Sequence, residues 1–82
     1  MDEERQKKFA TASDAAMSAV DECNTVVSYT PRLLQAMERG DAEAAARYRE
    51  IIGDEINHAL MFLSLYAELL GIEVPTDGFE EV

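Results

Sequence analysis

Three side chains, far apart in the chain, have the types and spacing to hold a metal ion. Glu55 and His58 are three residues apart, which on a helix puts them on one face about a turn from each other. They interrupt an apolar stripe between Ile51 and Phe62. A carboxylate and an imidazole in such a stripe cost free energy unless they are paired, hydrogen-bonded or bound to a cation. Glu22 interrupts a second apolar stripe, between Ala19 and Val26. Gly40 lies 18 residues after Glu22 and 18 before His58, so a turn near Gly40 brings Glu22 to the height of His58. Two carboxylates and one imidazole suit iron, manganese or zinc better than calcium or a thiolate-bound metal.

Helices must position these groups. The chain is rich in Ala, Glu, Leu, Met, Gln and Arg, and no strand-type alternation persists. In the second half a seam runs Ala44, Tyr48, Ile51, Glu55, His58, Phe62, Leu65, Leu69, the heptad rhythm of a bundle helix. Asp41 is placed to cap it and Gly71, followed by Pro75, to end it. A helix over 42–70 would be roughly 43 Å long at 1.5 Å per residue. In the first half the seam runs Ala12, Ala15, Ala19, Glu22, Val26, Tyr29, Leu33, Met37. A second stripe through Phe9, Ala16, Val20, Cys23, Val27 and Leu34 flanks it and broadens the apolar face. Pro31 removes a backbone donor and crowds the carbonyl four residues back, and Thr30-Pro31 reads as a helix restart. A kink or short break is therefore expected at residues 28–31.

These elements give an all-α chain. Residues 1–71 form an antiparallel helical hairpin turning at Gly40, and residues 72–82 form an acidic tail that frays or docks, with Phe79 its one aromatic. Two helices cannot cover each other's broad apolar faces, so pairing with a second copy into a four-helix bundle is expected. That pairing would double the candidate ligands to four Glu and two His, the inventory of a carboxylate-bridged two-metal site.

Size and charge agree with this reading. Eighty-two residues make one small domain, whose core is marginal without a metal or a partner, and a single cysteine forms no intrachain disulfide. Seven basic against seventeen acidic residues, a net charge of −10, disfavour nucleic acid and anionic membranes as partners and favour cations. The longest uncharged run, Ile56 to Ala67, is too short to span a bilayer. The leading MDEERQKK has no signal-peptide apolar stretch, and with the lone cysteine it reads as cytoplasmic.

The string GDEINHALMFLSLYAELLGI, with Glu55-Ile56-Asn57-His58-Ala59 inside it, resembles the metal-binding helix of the ferritin-like superfamily. The likeness is greatest to rubrerythrins and half-length encapsulated ferritins. Glu22, 33 positions before Glu55, is similar in placement to the glutamate those families carry on the preceding helix, and the likeness covers roughly residues 15 to 71. The resemblance implies a di-iron site shared between two chains, with Glu22 and Glu55 as carboxylate ligands and His58 as the imidazole ligand. It also implies ferrous-iron oxidation by oxygen or peroxide, with iron storage or detoxification as the wider role. No rubredoxin-like cysteine module is present.

The rival reading is a non-catalytic helical hairpin, a dimerisation or interaction module in which the His and the carboxylates set register. Asp21 and Asp54, neighbours of two candidate ligands, are expected to face outward. Tyr29 and Tyr48 lie one heptad from Glu22 and Glu55. With Tyr66 they read first as core filler, and Tyr29 or Tyr48 as a ligand partner or electron donor only second. Cys23 is expected to be a buried, inert thiol. Met17, Met37 and Met61 are expected to pack in a core or an interface. Gly53, in mid-helix, marks a close approach or a tolerated defect.

Overall fold

A computed structural model describes residues 2–75. Two helices make up the fold: α1, Glu3–Glu38, and α2, Ala42–Leu70. They pack against each other as an antiparallel hairpin. The described residues measure 57 × 27 × 14 Å, and the thinnest dimension is that of a single helix layer, so no described residue covers either broad side of the pair.

Each helix end is built from residues suited to it. At the start of α1 the Asp2 carboxylate accepts from the Arg5 N–H at 2.8 Å, and at the start of α2 the Asp41 carboxylate accepts from the Ala44 N–H at 3.1 Å. Both use a side-chain oxygen to satisfy an amide that the helix leaves without a partner. Both helices end in the same way. Gly40 and Gly71 adopt left-handed φ values of 69° and 66°, which cost glycine nothing. Around Gly40, the Asp41 N–H donates to the Ala36 carbonyl at 2.9 Å and the Gly40 N–H to the Met37 carbonyl at 3.1 Å. The Ile72 and Gly71 amides repeat that pair on Ala67 and Glu68. This is the Schellman closure of a helix C-terminus. The expected turn, cap residues and bounds of α2 are all found.

Pro31 does not break α1. Helical backbone continues through residues 28–31, and Thr30 is not an N-cap: its hydroxyl donates back to the Val26 carbonyl at 2.8 Å. The Ser28 hydroxyl does the same to Asn24 at 3.0 Å, and the Thr25 hydroxyl to Asp21 at 3.3 Å. Pro31 leaves the Val27 carbonyl without its helical donor, and these three hydroxyls bond to the carbonyls of Asp21, Asn24 and Val26 in the turns just ahead of it.

The contact between the helices is made of alanine. Among the described residues, Ala12, Ala15, Ala19 and Ala36 of α1, and Ala45, Ala59 and Ala67 of α2, are the buried ones, and no large side chain is fully buried. Val26, Leu33, Ile51, Ile52 and Phe62 are only half-buried. The seams hold with local substitutions. Ala36 takes the place expected of Met37, which is 51% exposed, and Ala59 and Tyr66 turn further inward than His58 and Leu65. These offsets keep the seven-residue spacing and change only which of two neighbours points inward: Ala45, Ile52, Ala59 and Tyr66 repeat every seven residues on α2, as Tyr29 and Ala36 do on α1.

The flanking stripe of α1 is uncovered: Phe9, Val20, Val27 and Leu34 are exposed, and so is Cys23, contrary to the buried thiol expected of it. Met17 and Met61 are likewise exposed rather than in a hairpin core. No described helix is long and apolar enough to cross a membrane. Residues 72–75 continue beyond α2 without helix and are exposed. The rest of the expected tail, residues 76–82 with Phe79, lies outside the described residues.

Small-to-large change at the alanine contact forces the helices apart. Ala19→Leu is expected to destabilise the protein by about 1–3 kcal/mol, while Ala46→Leu on the exposed side of α2 changes stability by less than about 0.5 kcal/mol. Urea unfolding followed by helical circular dichroism measures both.

Candidate metal centre

Glu22 comes from the middle of α1, and Glu55 and His58 from the middle of α2. All three converge. One donor atom from each lies within 4.8 Å of the other two. His58 Nδ1 is 3.7 Å from Glu22 Oε2 and 3.9 Å from Glu55 Oε1. The register that delivers this is fixed by the short turn at Gly40. It is confirmed one heptad nearer the turn, where Tyr29 and Tyr48 meet with ring centroids 5.9 Å apart at 44°. Asp21 and Asp54 face outward, as expected.

The three groups are close without being satisfied by one another. The distances of 3.7 and 3.9 Å exceed hydrogen-bond length, and none of the side-chain hydrogen bonds among the described residues engages any of the three. The carboxylate side chains are each 23% exposed and the imidazole 51%. A cation bonded at about 2.1 Å to three donors holds them roughly 3–3.5 Å apart, so modest side-chain rotation closes this set around one. The donor chemistry therefore fits a borderline divalent ion such as iron, manganese or zinc, with coordination positions left open.

The surroundings are apolar. Glu22 and His58 line an open hollow of about 410 Å³ together with Met61, Phe62 and Leu65. The hollow is open on one side of the hairpin rather than enclosed. The sequence pattern placed Phe62 and Leu65 on the seam, and Met61 among packing residues. That all three border the ligands follows from their positions, Met61 and Phe62 one turn beyond His58 and Leu65 two turns beyond it.

Tyr29 and Tyr48 make the ring-to-ring contact expected of seam aromatics. Arg32, which the sequence pattern did not single out, sits over the Tyr29 ring with its guanidinium carbon 5.0 Å from the centroid. Both rings pack on each other one heptad from the carboxylates, so they brace the register beside the centre. No family model matches the chain, and neither does any curated protein or solved structure.

An ion pair this open contributes little by itself. In chelator, Glu22→Gln is expected to change stability by less than about 1 kcal/mol, because half-exposed imidazole–carboxylate pairs are screened by water. A loss of several kcal/mol on urea unfolding would instead make Glu22 a structural residue of the hairpin.

Proposed function

We propose that two copies of this hairpin pair into a ferritin-like four-helix bundle that holds two metal ions, iron foremost, and that the protein oxidises ferrous iron with oxygen or peroxide. The observation that supports this is the convergence of Glu22, Glu55 and His58 to within 4.8 Å, beside a hollow walled by Met61, Phe62 and Leu65. One chain offers three donors. A two-fold partner facing the same hollow brings three more, which makes four carboxylates and two imidazoles for two ions.

Iron held there supplies the electrons that reduce the oxidant, and the chain's own groups supply everything else. Glu55 and His58, a turn apart on α2, set the spacing of one carboxylate and one neutral nitrogen donor. Glu22 adds a second carboxylate from α1, so that metal binding ties the two helices together. The carboxylate charges offset the charge of the cations, and exposed Asp21 and Asp54 nearby add to a negative field that draws cations in. Met61, Phe62 and Leu65, covered by the second copy, exclude bulk water from the ligands and strengthen their hold. The resemblance of residues 15 to 71 to ferritin-like chains points to the same chemistry.

Protein purified without chelator is expected to carry about one iron per chain, read by elemental analysis. Glu55→Ala and His58→Ala should each lose stoichiometric metal and ferrous-oxidation activity. Stripping the metal should lower Tm, because a ligand that binds only the folded form stabilises it. Wild-type iron content and oxidation rate in both variants would sink the proposal and leave a self-associating helical module.

A further inference from the structure

The hairpin has a second unpartnered side, and it is not the one onto which the metal ligands open. On α1, Val20, Val27 and Leu34 each follow a seam residue (Ala19, Val26, Leu33) by one position, about 100° further round the helix. On α2, Ile56, Leu60 and Leu63 follow Glu55, Ala59 and Phe62 in the same way. Antiparallel right-handed helices turn in opposite senses when viewed from one end. The flanks one step beyond each seam therefore lie on the same side of the hairpin. His58, Met61 and Leu65 precede seam residues instead, so the metal hollow opens on the opposite side.

These six residues leave between 46% and 69% of their surface exposed. Together they present roughly 550 Å² of apolar surface, the upper end of what monomers leave bare. With its rim, such a stripe approaches the roughly 800 Å² per partner typical of a stable interface. A hairpin whose buried residues are all alanine has no other core to rely on. The stripe also carries no charge from Phe9 to Leu34 on α1, or from Gly53 to Ala67 on α2. A chain of net charge −10 repels its own copies, and that repulsion is least across an uncharged surface. Gly53 points the same way. It is exposed in mid-helix, and a Cβ built on it meets nothing within 4 Å, so the hairpin itself gives no reason for the roughly 1 kcal/mol that glycine costs there. Close approach of another helix gives one.

We infer that the stripe of Val20, Val27, Leu34, Ile56, Leu60 and Leu63 is a metal-independent interface with a second copy of the chain, separate from the face that shares metal. Two copies stack these stripes about a two-fold axis, and both the stripe and the exposed Cys23 beside it become covered. With both faces engaged, the chain assembles beyond a dimer. The inference does not rest on the metal reading, since Glu55→Ala should lose metal while keeping this interface.

The test is light scattering on the full chain in chelator, at micromolar concentration, with the rate of Cys23 modification by an aromatic disulfide reagent as a second readout. Wild type is expected at twice the chain mass. Val27→Asp with Leu60→Asp should fall to the chain mass, with Cys23 reacting at least tenfold faster. Gly53→Leu is the variant that favours the helix: it should raise helicity in an isolated hairpin, but here it should weaken the dimer at least tenfold by wedging the copies apart. Wild type at the chain mass in chelator overturns the inference, as does an unchanged dimer dissociation constant in Gly53→Leu.

Discussion

Alanine packed on alanine across two antiparallel helices is the contact on which the rest of this molecule depends. Ala12, Ala15, Ala19 and Ala36 on α1 and Ala45, Ala59 and Ala67 on α2 are buried, and side chains this small let two helix backbones approach closely. Closeness is what allows a glutamate on one helix to reach a carboxylate and an imidazole on the other. The same choice has a cost: alanine buries little apolar area, so the contact stabilises weakly. Larger side chains at these positions would force the helices apart and carry Glu22 out of reach of His58. The close approach that gathers the three donors thus leaves the hairpin short of a core of its own.

That trade organises the outside of the molecule. The valines, leucines and isoleucines that a self-sufficient domain would bury stand on its surface. They fall on two sides with different chemistry. One side carries the donors, with Met61, Phe62 and Leu65 around them and polar residues such as Ser18 and Thr25 across from them on α1. The other is a continuous uncharged stripe. In the assembly proposed here, a cation draws copies together on the first side and the hydrophobic effect on the second. Metal supply would then control one association and leave the other intact.

Much of this was legible in the sequence because it is local. The bounds of α2 follow from a carboxylate cap at Asp41 and a left-handed glycine at Gly71, signals that act within one turn. The convergence of Glu22 with Glu55 and His58 was legible too, because a tight turn at Gly40 leaves an antiparallel pair only one register. Pro31 was misleading. The sequence shows a missing donor and a steric clash, but it does not show that hydroxyls at residues 25, 28 and 30 all turn back onto the helix while α1 runs on unbroken. Cys23 was misread for a different reason. Its type and neighbours are those of a buried residue, and whether it is buried depends on which flank of the seam faces the other helix.

Caps, left-handed glycines and a seven-residue rhythm all operate over a few residues, so the order of amino acids was enough to place α2 and its ends, a helical first arm, their antiparallel pairing and the height at which the donors meet. Which side of the hairpin each stripe occupies emerges from how the two helices pack. A one-residue step along a helix is about a 100° turn, and packing turns Ala36, Ala59 and Tyr66 inward while Met37, His58 and Leu65 turn out. That small rotation puts the metal ligands and the bare apolar stripe on opposite sides of the same pair of helices.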